Sequence, residues 1–210
     1  IDDANLEARD DVVIQGIVTA WLRAFGQALA SGDEKAVTSL LEDESNWRDV
    51  LAFTWHLTPL VGAKEIAEAL VARQPTVEAQ GFEISAARTP PRRVKRLGRD
   101  CIEAIYRFET KVGECEGVLR LVPASEGEEA YKAWVISTSL EELTGFEERI
   151  GTRRPSGAAY SRNFGGDNWE DVRRKAQAYE DRDPTVLVVG GAQAGLSIAA
   201  RLNQVGVDTL

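Results

Sequence analysis

"SNWRDVLAFTWHLTPLVG", residues 45–62, is the stretch whose reading decides the fold. Its aromatic and β-branched content predicts a strand. Pro59 and Gly62 are expected to end it. In a strand, alternate residues share a face, so Trp47, Asp49, Leu51, Phe53 and Trp55 are expected on one side. Asp49 is then a carboxylate on an otherwise aromatic and aliphatic face, which makes it a candidate for acid–base chemistry. The alternative is that Asp49 caps a turn or pairs with a nearby Arg, with the tryptophans as ordinary core. His56, the only histidine, falls on the opposite face.

Upstream, apolar residues recur at helical spacing over residues 10–30: Val13, Ile17, Trp21, Phe25 and Leu29. "SGD" at residues 31–33 stops this helix and offers Asp33 as the N-cap of a second one, over residues 34–41. Downstream, "AKEIAEALVARQ" predicts a third helix, stopped by Pro75. The period then changes to two. Residues 82–88, 99–110, 114–122 and 131–143 read as strands, joined by "RLGRD", "KVGE" and "PASEGEE". Helices followed by a meander of long antiparallel strands imply an α+β plan, with helices on one face of a curved sheet.

This order, with "ALASGD" between the first two helices and "NWRDVLAFTWHLTPLVG" after them, resembles the cone-shaped nuclear transport factor 2 and SnoaL-like (polyketide cyclase) group. The resemblance covers roughly residues 10–143. It implies three helices closing over a bent sheet and a pocket inside. Asp49, His56 and Tyr106 are the candidates for chemistry there, with Trp47, Trp55 and Trp134 as walls. It also implies a possible homodimer through the open side of the sheet.

The chain then changes character. "GTRRPSGAAYSRNFGGD" has the composition of a connector, and "NWEDVRRKAQAYEDRD" reads as a short helix with acids first and bases later, as the helix dipole favours. Residues 185–189 are a continuous apolar run of the buried parallel type. The domain reading is a cone over residues 1–145, a linker over 146–184, and the start of a Rossmann-type fold over 185–210.

"VLVVGGAQAGLSIAARL" matches G-x-G-x-x-G at Gly190 and Gly195, with Ala192 at the middle position. The first glycine allows a tight turn, and the last allows close helix–strand packing. The helix start offers amide hydrogens to a phosphate. Gly190, Gly191, Ala192, Gln193 and Gly195 are therefore the candidate dinucleotide-binding residues. The stretch resembles the first turn of flavin-containing monooxygenases, and the "NW" and paired arginines at residues 168–174 resemble the connector of the branch that carries an N-terminal cone. This implies an FAD- and NADPH-dependent oxidoreductase acting on a small organic substrate. The acidic residue that holds the ribose is expected ~20 residues beyond the glycines. The chain stops at Leu210, so it is expected to be the N-terminal piece of a longer flavoprotein, not catalytic by itself. The competing expectation is a small-molecule-binding, isomerase-like or dimerising module without flavin chemistry.

Composition sets the outer bounds. The chain has 210 residues, 43% of them hydrophobic and 28% charged, and a net charge of −9. That charge argues against nucleic acid, whose affinity rests on cationic contacts. The basic run at residues 92–96 reads as a solvated strand or hairpin end. No apolar run approaches the ~20 residues of a membrane span, and no signal peptide is visible. The chain begins at Ile1 and has no Met, so its native start is expected upstream. Cys101 and Cys115 read as free thiols in a cytoplasmic setting, because the register of a hairpin turning at residues 111–113 does not bring them opposite one another. One histidine excludes a multi-histidine metal site.

Overall fold

The structure, a computed structural model, describes residues 2–124, 130–153 and 166–210. The chain forms two compact units, residues 1–144 and 145–210.

In the first unit, α1 (Asp2–Ser31) buries Ile14, Val18, Trp21, Leu22, Phe25 and Leu29 along one stripe. Over Asp10–Ser31 it is long and apolar enough to cross a membrane by length and composition. That stripe packs in the core instead. Gly32, at φ +67°, closes the helix by donating to the Leu29 carbonyl at 3.0 Å. Asp33 then caps α2 (Glu34–Ser39), accepting from the Ala36 amide at 3.0 Å, as its spacing predicts.

The expected single strand over residues 45–62 is two strands. β1 (Leu41–Val50) turns back at residues 51–56 into β2 (Leu57–Val61), with Val50 opposite Leu57. Leu51 and Trp55 carry the reversal at φ 68° and 55°, a region ordinary side chains avoid. They therefore leave the face of Trp47 and Asp49, and the alternation expected through this stretch ends at Val50.

Next, α3 (Ala63–Val77) buries Ala63, Ile66, Ala67 and Leu70. It runs two residues past Pro75, which was expected to stop it. A proline in a last turn forfeits one hydrogen bond but need not end the helix at once. β3 (Gln80–Ile84) is shorter than the strand expected there, and residues 92–96 form an edge strand, β4 (Arg92–Arg96). β5 (Arg99–Thr110) and β7 (Tyr131–Leu143) keep their expected bounds, and β6 (Gly113–Pro123) gains one residue at each end. The sheet order is β2-β1-β7-β6-β5-β3, with β4 also on β5. All pairs are antiparallel except β1 with β7, which is parallel. Register shifts at Leu41/Asn46, Gln80/Glu83, Glu114/Cys115 and Arg120/Leu121 bend the sheet. The helices cover its concave side, which is the α+β cone the element order implies.

Aromatic rings fill the space between helices and sheet. Phe82 stacks on Phe108 at 4.9 Å and meets Phe25 edge-on at 5.3 Å, and Phe53 meets Trp47 edge-on at 5.8 Å.

In the second unit, α4 (Trp169–Ala178) is capped by Asn168, which accepts from the Asp171 amide at 3.0 Å. α5 (Gln193–Gln204) follows the glycine turn. Val186 and Thr209 form a parallel bridge, and the Val188 amide donates to Leu210 at 2.7 Å. This is a strand–helix–strand crossover. The run at residues 185–189 was expected to be buried, but Leu187 and Val189 are exposed, because one bridge on one edge covers neither face. A single crossover is less than a Rossmann sheet, and it does not by itself show that residues 185–210, read as the start of one, belong to a Rossmann-type fold. Most of the expected connector, residues 154–165, lies outside the described residues, as does the side chain of Trp169.

Candidate functional site

Asp49 is fully buried at 0% exposure. β1 places it opposite Thr138 of β7 and Thr58 of β2. Four donors reach its carboxylate. The Phe53 amide approaches both oxygens at 3.1 Å, and the Thr54 amide donates to Oδ2 at 2.7 Å. The Thr54 hydroxyl donates to Oδ2 at 2.7 Å, and the Thr138 hydroxyl to Oδ1 at 2.6 Å. The Trp47 indole in turn donates to Thr138 Oγ1 at 3.0 Å. A carboxylate so engaged has its acceptor capacity filled from within. It anchors the residue 51–56 turn, the capping alternative left open by the sequence, and presents no lone pair to a substrate.

Trp47, at 1% exposure, and Tyr106, at 0%, lie in the same core. The Tyr106 hydroxyl donates to the Ser137 carbonyl at 2.8 Å, and burial pushes its ionisation well above the usual phenol range. Tyr106 fits there because Gly117 has no side chain: a Cβ at Gly117 would strike both the Ser137 carbonyl oxygen and the Tyr106 ring. Of the expected pocket residues, the structure thus gathers Trp47, Asp49 and Tyr106. It does not bring Trp55 or Trp134 to them. Trp55 is 54% exposed in the turn. Trp134 packs under the Arg99 guanidinium at 5.0 Å from its ring centre. His56 is exposed. Sequence reasoning missed Thr54 and Thr138. Thr138 lies 89 residues from Asp49, and only the parallel pairing of β1 with β7 joins them.

Open clefts lie on this unit among the described residues. One of about 520 Å³ sits between the C-terminal ends of α1 and α3, against Leu29, Val71, Gln74 and Ala79. Another, about 310 Å³, is lined by Arg93, Lys95, Cys101 and Tyr131. Cys101 and Cys115 are buried free thiols. Burial pushes Cys115 up to about 12 and raises Cys101 as well. Among the described residues, no group of three or more His, Cys, Asp and Glu side chains could hold a metal ion.

In the second unit, Gly190 sits at φ +111° and Gly195 lies in the first turn of α5. A Cβ at Gly195 would run into the Gly190 carbonyl oxygen, whereas one at Gly191 would meet nothing within 4 Å. Ala192 occupies the N-cap of α5 without a side-chain hydrogen bond, so the first-turn amides of α5 are left to an outside acceptor. These are the features a phosphate turn needs: a tight bend, close packing and a helix start without a side-chain cap.

No family model matches the chain, and no curated protein matches it. Several solved structures are similar to it. One is a nuclear transport factor 2-like protein with a cystatin-like fold from Novosphingobium aromaticivorans, 12% identical, covering 66% of this chain and 90% of its own, at a TM-score of 0.44. A domain of unknown function with a cystatin-like fold from Nostoc punctiforme is 10% identical over 90% of this chain and 94% of its own, also at 0.44. A ketosteroid isomerase-like protein from Erwinia carotovora atroseptica is 13% identical over 61% of this chain and 96% of its own, at 0.42. Each TM-score is below 0.5, and no chemistry rests on these likenesses.

Proposed function

We propose that the glycine turn of the second unit binds the pyrophosphate of a dinucleotide, FAD, in a monooxygenase-like oxidoreductase that also uses NADPH. The observation that carries this reading is the pair Gly190 and Gly195. One holds a φ closed to ordinary side chains, and the other has no room for a Cβ. Gly190, Gly191, Ala192, Gln193 and Gly195 would border the phosphates, with the α5 amides donating to them. When bound, the flavin supplies the redox chemistry. What these residues contribute is binding and orientation. Flavin content per protomer tests the reading, in protein purified from its native source and in its Gly190→Val variant. Flavin in the first and loss in the second supports it. Full occupancy in Gly190→Val overturns it.

A second reading has its own observation. The first unit closes its own core, and its α1–α3 cleft of about 520 Å³ falls within the range of small-molecule sites. On that reading the cone is a small-molecule-binding or dimerising module without flavin chemistry. The engaged Asp49 argues against an isomerase that uses it as base. A colourless native protein that binds a small apolar ligand, with affinity lost in Val71→Trp, would favour this module over the flavin reading.

A further inference from the structure

Ion pairs lace the surface of the first unit, nearly all one cation to one anion. Arg88 pairs with Glu116 at 2.7 Å, Arg93 with Asp10 at 3.2 Å, Arg99 with Glu42 at 2.5 Å, Lys111 with Glu78 at 2.8 Å, and Arg107 with Glu83. Glu103 breaks the pattern. Arg96 approaches it through two nitrogens, at 2.7 and 3.0 Å. Arg120 reaches it at 2.9 Å and Arg92 at 3.3 Å. Three guanidinium groups share one carboxylate, which leaves a surplus of two positive charges. The fold enforces the gathering: Arg92, Glu103 and Arg120 are direct cross-strand partners on β4, β5 and β6.

A cluster built only for stability would be matched, as the neighbouring pairs are, because like charges placed together are destabilising. The Glu103 side chain is 12% exposed and holds the three forks in place, while the arginines remain 28–53% exposed. Arg120 commits only Nε to the carboxylate and Arg92 only Nη2, so each keeps donors for another acceptor. Arginine forks match the oxygens of phosphate two at a time.

We propose that Arg92, Arg96 and Arg120, organised by Glu103, form a binding site for a phosphate-type dianion. Two surplus charges match one dianion, whereas a single carboxylate would neutralise only one of them. The overall charge of −9 repels anions at long range, so the attraction is local. Binding is accordingly weak and salt-sensitive. The phosphate belongs either to a small molecule or to a phosphorylated side chain, and the two sources present the same chemistry to the site.

The test is calorimetric titration of the 210-residue chain at low, fixed ionic strength with inorganic phosphate, a phosphoserine peptide, and the same peptide with glutamate in place of phosphoserine. Saturable binding of phosphate or of the phosphopeptide is expected. Arg92→Gln and Arg120→Gln should each weaken it about tenfold, the scale of a charge-assisted hydrogen bond. Arg107→Gln, on the same face with its own partner, should change it less than about twofold. Thermal unfolding of each variant checks that it folds, and either arginine variant suffices. Tighter binding of the phosphopeptide than of free phosphate assigns the source to a protein, and equal binding assigns it to a small molecule. No saturation, equal weakening in Arg107→Gln, or a glutamate peptide that binds as well as its phosphorylated form overturns the proposal.

Discussion

The Thr138 hydroxyl donates to Asp49 across the one parallel pair of the sheet, at 2.6 Å, and the Trp47 indole donates to that same hydroxyl at 3.0 Å. The hydroxyl is therefore a relay between the two, and Asp49 holds the turn that follows β1. Thr138→Val keeps the shape but removes both bonds, and should cost about 1–3 kcal/mol. Asp49→Ala leaves two amides and two hydroxyls without their acceptor and should cost more, about 3–5 kcal/mol. Urea unfolding of both variants checks the order. Asp49→Ala at wild-type stability would mean the carboxylate is not the anchor of the turn.

Tyr106 and Gly117 test the packing of the cone interior. Tyr106→Phe loses one buried hydrogen bond to the Ser137 carbonyl and should cost about 1–2 kcal/mol. Gly117→Ala should cost more, about 2–4 kcal/mol, because its new methyl meets backbone on one side and the Tyr106 ring on the other. The double variant Gly117→Ala with Tyr106→Leu should recover part of that loss by removing the ring. Denaturant midpoints for the three proteins decide it, and no recovery in the double variant would place the clash on Ser137 alone.

Local signals made much of this fold legible. The stripe through Ile17, Trp21, Phe25 and Leu29, the Asp33 cap and the alternation through β5 and β7 each follow from a few adjacent residues, although Val13, read onto the stripe, is exposed and Ile14 is buried in its place. The reversal at Leu51 and Trp55 carried no such signal. Neither is Gly, Asn or Asp, and the left-handed backbone there is held by Asp49 and by the Leu51 amide bonding to His56 at 3.2 Å. The site suffered for the same reason. Asp49 was identifiable as an unusual residue, but its Phe53 and Thr54 donors sit in that unsignalled turn and its fourth donor, Thr138, comes from a strand 89 residues away. The Glu103 cluster draws on three strands, and "RRVKR" alone reads only as a basic edge.

Acid should find the Glu103 cluster. The Arg96 guanidinium, with Arg120 and Arg92, holds its carboxyl down at about 2, against an ordinary 4.5. A depressed carboxylate stabilises the fold above its unfolded value and loses that contribution as pH falls through the folded one. The loss therefore runs from about pH 4.5 down to about pH 2. The depression corresponds to at most about 3 kcal/mol. Solvent around the exposed arginine ends reduces it to about 1–2 kcal/mol. Glu103→Gln should be less stable than the parent chain at pH 7, and the gap should close across that window. Stability measured at several pH values checks it, and a gap that stays constant down to pH 2 would show that Glu103 contributes through shape and not through charge.

The glycine turn separates two requirements that one motif combines. At Gly190 the constraint is backbone angle, since φ is +111° and the space around it is open. At Gly195 the constraint is room, since an added Cβ meets the Gly190 carbonyl oxygen. Gly191 carries neither constraint. Gly190→Ala and Gly195→Ala should each destabilise the crossover, by about 1–3 kcal/mol. Gly191→Ala should be tolerated within about 0.5 kcal/mol, or be slightly stabilising through the unfolded chain. Ala192→Gly, which restores the usual fingerprint, should loosen the α5 cap by no more than about 1 kcal/mol. Hydrogen exchange at the Val186, Val188 and Leu210 amides reads this directly, because those amides close the parallel pairing that the turn supports. Protection should fall in the Gly190 and Gly195 variants and persist in the Gly191 variant. Equal loss in all three would mean that the turn is held by general packing and has no special geometry to offer a phosphate.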